Sequence, residues 1–168
     1  MKSNSDFMKN FKTKEKGALI VEVLIVIVII TIALVSLLGL ATFSLKTSGS
    51  IKESNVAVSL ARETMEAVRN FRDGTDWGSN GLGTLAPESI YHPQKSADNP
   101  PKWTMVSGTE TIDGFSRKVV LSSVMRDAGY NIVQSGGSND PYTRKVTVTV
   151  SFSGRSVEII SYLTNWKQ

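Results

Sequence analysis

The feature that most constrains this chain is an uninterrupted apolar run near its N-terminus. From Val23 to Leu45 the sequence has no charged residue, and Val, Ile and Leu dominate. About 20 such residues form a helix that can cross the roughly 30 Å hydrocarbon layer of a bilayer. The run is apolar on every side, so helical periodicity assigns it no polar face. We therefore predict a hydrophobic transmembrane helix over residues 18–45.

The charge of the chain is concentrated before this run. The 168 residues carry a net charge of +4, and five of the lysines fall in the first 17 residues, against two carboxylates. The remaining 151 residues hold 14 basic and 13 acidic side chains. By the positive-inside rule, a basic leader marks the cytoplasmic side of a membrane. The chain has no cysteine, which excludes disulfides and thiolate zinc sites.

One carboxylate, Glu22, lies at the start of the apolar stretch. A carboxylate in a spanning helix costs roughly 2.5–3.5 kcal/mol at the bilayer centre and less towards its ends. Such a group therefore has a partner or a function. Within the intact chain, Lys16 or the membrane interface could satisfy it.

Ahead of Glu22, a basic leader ends in Gly17, which is followed by Ala-Leu-Ile-Val-Glu and then by an aliphatic helix. These residues resemble the class III signal of type IV prepilins. The resemblance implies that a prepilin peptidase cleaves between Gly17 and Ala18 and methylates the Ala18 amine. Glu22 then becomes the fifth mature residue. The family more often has Phe and Thr at the first two mature positions, where this chain has Ala18 and Leu19.

Cleavage would create a partner for the Glu22 carboxylate. The new amine at Ala18 lies four residues away, one helical turn along the same helix. In a filament, Glu22 of an incoming subunit could instead meet the Ala18 amine of a neighbour. Low dielectric favours that pairing, although desolvation offsets much of the gain. Glu22 is therefore the predicted assembly residue.

The helix is predicted to continue as an amphipathic segment over residues 46–73. An apolar stripe recurs at three- and four-residue intervals, and Asp73-Gly74 is a stop signal; its members are Ala57, Leu60, Ala61, Met65, Val68 and Phe71. Gly39 and, further on, Gly49 are the weak points of the helix, because Gly weakens a helix by up to about 1 kcal/mol. Related pilins often have Pro or Gly near the place of Gly39, so the resemblance implies that the helix loosens there during assembly. The stretch Ser59–Trp77 resembles PilV-type minor pilins and I-type pseudopilins of type II secretion. Its arginines also fit a solvated helix face.

Residues 74–168 read as a globular head. The stretch from Gly74 to Pro101 is rich in Gly, Pro, Asn and Asp and predicts loops. Asp113-Gly114 and Ser153-Gly154 predict two hairpins, and Trp103–Val106 predicts another strand. The alternating Val146, Val148, Val150 and Phe152 predict one apolar strand face. We expect an antiparallel sheet of three to five strands, covered by the helix stripe. A helix on one side of an antiparallel sheet is an α+β arrangement, and it resembles the pilin fold.

The sequence offers no catalytic or cofactor motif. His92 is the single histidine, and no nucleophile motif or phosphate-binding glycine loop occurs. Four carboxylates and amides, Asp98, Asn99, Asp113 and Asp140, do not have the spacing of an EF-hand. The segment Ser135–Asp140 is expected to be an exposed, flexible connection. We predict neither enzymatic activity nor a cofactor or metal.

The predicted function is that of a structural subunit, a minor pilin in preference to a major one, assembled into a type IV pilus or pilus-like filament. Its expected partners are the prepilin peptidase and N-methyltransferase, other pilin subunits, the inner-membrane assembly platform and, before assembly, the lipid bilayer. It would lie in the inner membrane with its N-terminus cytoplasmic and its head outside, and later in a surface or periplasmic filament. A type II secretion pseudopilin, an adhesin, a DNA-uptake module and an uncleaved single-pass anchor remain open alternatives.

Overall fold

The computed structural model describes the backbone of residues 4–166 and the side chains of residues 19–166. One helix precedes seven strands in the chain. Their bounds are α1 Asn4–Gly74, β1 Ile90–Lys95, β2 Trp103–Ser107, β3 Glu110–Ile112, β4 Phe115–Arg126, β5 Ile132–Val133, β6 Ser138–Phe152 and β7 Arg155–Thr164. The protein is therefore of the α+β class, as predicted. It divides into two compact units, Met1–Ser50 and Ile51–Gln168.

Helix α1 ends at the residue that the sequence indicated. No proline occurs between its first and last residues, so the backbone hydrogen-bond ladder needs no break. It stops at Gly74, where the hydroxyl of Thr75 donates to the carbonyl of Phe71 at 2.6 Å. That bond satisfies one of the orphan carbonyls that every helix C-terminus leaves.

The strands form one antiparallel sheet in the order β2-β1-β4-β6-β7, and the short β3 and β5 pair with β4 outside this path. The long pair β4–β6 lies at the centre and carries a register shift between Ser123 and Val124. Strands β2 and β7 are the two edges. The sheet thus has seven strands, where three to five were predicted.

Both predicted hairpins are confirmed, and their turns have the backbone that two-residue loops require. Asp113 and Gly114 have φ of 50° and 83° between the paired Ile112 and Phe115. Ser153 and Gly154 have φ of 44° and 72° between β6 and β7. Positive φ at both positions gives a twist that matches the right-handed twist of the strands.

Strand β1 lies in a segment that was predicted to be a loop, because Pro93 and the nearby turn residues argued against a strand. The bonds from Ser96 N to Lys102 O and from Gly108 N to Ile90 O fix the phase of the β1–β2 ladder. In that phase the even-numbered residues of β1 exchange backbone hydrogen bonds with β2. Pro93 and its partner Met105 therefore form a pair without hydrogen bonds between them. The missing N–H of Pro93 therefore costs the ladder nothing.

A second correction concerns the segment Ser135–Asp140. Its last three residues belong to β6, where Ser138, Asn139 and Asp140 pair with Arg126, Met125 and Val124 of β4. The polar composition of these residues resembled a loop. They form a strand because the edge of the sheet beyond the bulge is solvated and tolerates polar side chains.

The core lies between one face of the sheet and the C-terminal part of α1, from Ala57 to Phe71. The apolar stripe predicted on the helix is buried, apart from Leu60, which is partly buried. The apolar face predicted for β6 is buried against it. The principal members are Ala57, Ala61, Met65, Val68, Phe71, Val119, Leu121, Val146, Val148, Val150, Phe152 and Leu163. Alanines on the helix allow its backbone to approach the branched side chains of the sheet closely.

The loop between α1 and β1 closes one end of this core. Trp77 and Leu82 are buried, and the Trp77 indole N–H donates to the Pro141 carbonyl at 3.0 Å. Gly83 packs directly on that indole, since a Cβ at this position would lie 2.5 Å from Trp77 Cδ1. The glycine is required here by space and not by its φ.

Candidate functional site

Among the described residues, the apolar part of α1 carries a run of exposed aliphatic side chains. Its large aliphatic side chains from Leu19 to Leu45 are about half exposed or more, and Val26, the least exposed, is 47% exposed. An apolar surface that is exposed on all sides is a feature of segments that are covered by lipid or by other protein. In the part of the chain that the structure describes, this is the one helix whose length and composition suffice to cross a membrane. Such a helix is typical of a single-pass membrane protein.

Three hydroxyl side chains inside this stretch are satisfied locally. The hydroxyls of Thr31 and Ser36 donate to the carbonyls of Ile27 and Ile32 at 2.7 and 2.8 Å. Thr42 donates to the carbonyl of Gly39 at 2.9 Å. Back-bonding of this kind leaves none of these three hydroxyls free to be desolvated in hydrocarbon.

Glu22 differs from these three hydroxyl groups. Its side chain is exposed at the start of the stretch, and among residues 19–166 the structure gives it no ion-pair partner. The proposed partner group, the Ala18 amine, and the cleavage position Gly17 fall outside the residues whose side chains are described. The pairing and the cleavage therefore stay predictions.

Gly39 lies within the unbroken helix, 17 residues after Glu22, or about 25 Å along the axis. A Cβ at Gly39 would meet no atom within 4 Å. Packing therefore does not require glycine at this position within the chain. Loosening of the helix at this residue remains a prediction.

The head contains a buried arginine that joins four elements. The Arg117 side chain is 6% exposed, and its guanidinium bonds Glu110 at 2.6 Å. It also donates to the Pro93 carbonyl at 3.2 Å and contacts the Thr64 hydroxyl of α1 at 3.5 Å. Because a guanidinium offers five donors in a fixed plane, one side chain can hold α1, β1, β3 and β4 together.

A second arginine braces the irregular part of the central strand pair. Arg126 bonds the carboxylate of Asp140 at 2.6 Å, next to the register shift between β4 and β6. Burial raises the pKa of Asp140, but hydrogen bonds from Arg126, Thr143 and the Tyr142 N–H outweigh it and hold the pKa below its usual value. Asp140 thus stays ionised at neutral pH. An open cavity of about 670 Å³ lies beside this pair.

A third arginine, Arg144, is buried on the core face of β6. It donates to the carbonyls of Gly83 and Thr143 at 3.2 and 3.5 Å, and its Nε has no hydrogen-bond partner among the described residues. Within this part of the chain, no group of three or more His, Asp or Glu side chains could hold a metal ion. The Nδ1 of His92 is 3.2 Å from the Gly108 carbonyl.

Sequence reasoning missed these three arginines. Arg117 has the same parity as Val119 and Leu121, and Arg144 has the same parity as Val146 and Val148. An arginine on the apolar side of an alternating strand is a signal that a buried cation is present. The partners of that cation cannot be read from the alternation.

Comparison with models of protein families, with curated proteins and with solved structures finds no significant match to this chain.

Proposed function

We propose that this protein is a structural subunit of a type IV pilus or pilus-like filament, a minor pilin with the pilin fold, released from its leader by a prepilin peptidase. One observation carries the proposal. Glu22 stands without an ion-pair partner in the described chain, at the head of an apolar helix stretch that is exposed on all sides and lies directly after a basic leader and Gly17. The helix that covers one face of an antiparallel sheet supports the fold.

The chemistry of the proposal is a charge pair that exists only after cleavage. Peptide hydrolysis after Gly17 frees the α-amine of Ala18, and methylation leaves that amine cationic. Between subunits, the cation of one chain would neutralise the Glu22 carboxylate of another inside an apolar helix bundle. An unpaired charge there is costly, so the pair selects one axial register, as a buried polar group does in a coiled coil.

The cellular location that we propose rests on the basic leader and the apolar helix. The basic leader supports a cytoplasmic N-terminus in the inner membrane and an exterior head before assembly. The partners would be the peptidase, its methyltransferase activity, the assembly platform and other pilin subunits. A type II secretion pseudopilin is the alternative, supported by the resemblance of Ser59–Trp77 to I-type pseudopilins.

The decisive experiment determines the mature N-terminus and then the role of Glu22. Mass spectrometry of the protein from membranes and filaments should find a chain that begins with methylated Ala18. Gly17→Leu should leave the leader attached, and filaments containing chains that still begin at Met1 would refute the proposal.

Glu22→Gln tests the pairing separately from processing. Because it removes the charge but keeps the shape, this variant should be cleaved normally and incorporated at least tenfold less into filaments. Thr31→Ala, which alters a locally satisfied group on the same helix, is the matched control and should incorporate normally. Equal incorporation of both variants would exclude the role proposed for Glu22.

A further inference from the structure

Strand β7 presents an open edge. It is the last strand of the sheet path, and within the described chain its sole strand neighbour is β6. The ten-residue strand therefore exposes a row of backbone N–H and C=O groups. Such a row is a template for another strand.

The register of the hairpin shows which residues carry these outward groups. Asn165 N donates to Tyr142 O at 2.8 Å, in the same register as the β6–β7 pairs. Bonded pairs alternate along an antiparallel ladder. The odd-numbered residues of β7 therefore bond to β6, and the even-numbered residues point outward; these are Ser156, Glu158, Ile160, Tyr162 and Thr164.

The second half of this edge lacks the features that normally prevent strand pairing. From Ile159 to Thr164 the strand has no charge and no proline, and the β6–β7 register contains no bulge. Ile160 and Tyr162 are 48% and 46% exposed on the face opposite the core. Natural edge strands are usually protected by lysines, prolines, bulges or short length. The edge of β7 is therefore suited to an interaction.

The other edge of the same sheet is complementary. Four antiparallel steps separate β2 from β7, so the two strands run in the same direction. The bond phase of β1–β2 leaves the odd-numbered residues of β2 pointing outward; these are Trp103, Met105 and Ser107. Trp103 and Met105 pack on the core side, whereas Ile160 and Tyr162 lie on the opposite face.

In a parallel ladder, every second residue of a strand bonds to the two neighbours of the residue that it faces, and the faced residue points its own backbone groups away. Two strands can therefore pair in parallel when the outward-bonding residues of one have their side chains on the core face and those of the other have theirs on the opposite face. Strand direction and bond phase thus both allow β7 of one copy to pair with β2 of another copy in the same orientation. In that pairing the core faces of the two sheets stay on the same side.

We propose that β7 of one copy of this chain pairs in parallel with β2 of a second copy, so that one sheet continues across neighbouring heads. The favoured register places Glu158 opposite Lys102 of the second copy, an opposite-charge pair. Ile160 then faces Thr104, and Tyr162 faces Val106. Aromatic and β-branched residues form favourable cross-strand pairs.

The alternative is a two-fold pairing of β7 with β7, which would be antiparallel with Ile160 opposite itself. It reverses the direction of the second molecule, including the part of α1 that packs on its sheet. Copies held by their N-terminal helices in one membrane share an orientation, and in this respect the inference rests on the proposed function. A head-to-tail contact between unlike edges can also repeat without limit, as a filament requires.

Site-directed disulfide cross-linking tests the pairing on the full chain in its membrane, because the chain has no cysteine of its own. Two differently tagged copies are co-expressed, one with Tyr162→Cys and one with Val106→Cys, and oxidised mildly. Directly facing strands bring Cα atoms within the range of a disulfide. We expect a cross-linked dimer that carries both tags.

The matched control replaces Tyr162→Cys by Thr147→Cys. Thr147 lies on the same sheet face, but its strand β6 has neighbours on both sides. This pair should give at least tenfold less cross-linked product. Equal or absent product in the two combinations would overturn the proposal.

Two further variants distinguish the remaining arrangements. Ile160→Cys alone should not cross-link, and a homodimer of this variant would establish two-fold β7 pairing and overturn the proposal. Glu158→Lys should lower the yield of the Tyr162–Val106 product several-fold, and Lys102→Glu on the partner copy should restore it. The N-terminus of the same sample, read by mass spectrometry, shows separately whether the proposed processing fails.

Discussion

At the scale of single residues, the buried charge in the described chain is carried by arginine. Arg117 and Arg144 lie on the core face of central strands. The guanidinium is weakly hydrated and reaches several carbonyls in one plane, so it tolerates burial better than an ammonium. Arg117 has a carboxylate partner in Glu110, whereas Arg144 is held by carbonyls. The two sites therefore differ in how their charge is balanced.

The close contact between Gly83 and Trp77 gives a prediction at this scale. Gly83→Ala places a Cβ within 2.5 Å of the buried indole and of the Trp77 carbonyl. We expect it to lower the free energy of unfolding by about 1–3 kcal/mol, the usual cost of overpacking. Chemical denaturation followed by tryptophan fluorescence measures this.

Gly78→Ala in the same loop is the control, because a Cβ there meets only Asp76 Oδ1 at 3.9 Å. Its effect should stay within about 0.5 kcal/mol, as for most surface substitutions. Equal stability losses for the two alanine variants would show that the contact with Trp77 does not limit position 83.

At the scale of elements, α1 combines two kinds of helix in one continuous stretch. Up to Leu45 its apolar residues surround the axis and are exposed, and from Ala57 they form a stripe buried against the sheet. The first kind is typical of helices that are covered by lipid or by other protein. The second finds its environment in the head and needs only one face. The change in the spacing of apolar residues along α1 thus marks the point from which the helix is buried by the head.

The Arg117 cluster, which connects α1 with three strands, gives the prediction for elements. Glu110→Gln removes the charge that balances a buried guanidinium, and we expect a loss of about 1–3 kcal/mol in the free energy of unfolding. Glu66→Gln breaks the exposed pair with Arg69 on α1 and should cost no more than about 0.5 kcal/mol. Urea denaturation compares the two, and a Glu110→Gln variant as stable as Glu66→Gln would contradict the role of the cluster.

At the scale of the whole molecule, the head contains its own core. All the residues of the core cluster lie between Ala57 and Leu163, within the compact unit Ile51–Gln168. About 120 residues are enough for an independent domain. The apolar part of α1 contributes no member to this core, so its removal leaves the core complete.

We therefore predict that a fragment starting at Ile51 folds alone. It should unfold cooperatively on heating, as monitored by circular dichroism, and with a midpoint within a few degrees of the full chain in detergent. A fragment starting at Glu66 lacks the buried Ala57, Ala61 and Met65 and should lose cooperative unfolding. Non-cooperative melting of the longer fragment would mean that the head depends on the membrane segment.

Local signals in the sequence were sufficient for several features. The apolar run predicted a helix able to span a membrane, Gly74 its end, and the stripe Ala57–Phe71 the face that is buried. The Asp113-Gly114 and Ser153-Gly154 pairs predicted their hairpins. Each of these depends on the period of a short segment or on the φ angles that two residues allow, so neighbours in the chain carry the information.

Other features were settled only when distant segments came together. Pro93 argued against strand β1, yet the strand forms because the bond phase with β2 needs no N–H at that residue. The polar start of β6 became a strand because β4 offered it an edge. The partners of Arg117 come from positions 64, 93 and 110, which the sequence does not connect. The sequence by itself determined which segments are apolar, helical or turning, because those properties are local. The tertiary structure decided which strands are neighbours, which edges stay open and which charges are paired, because those depend on contacts between residues far apart in the chain.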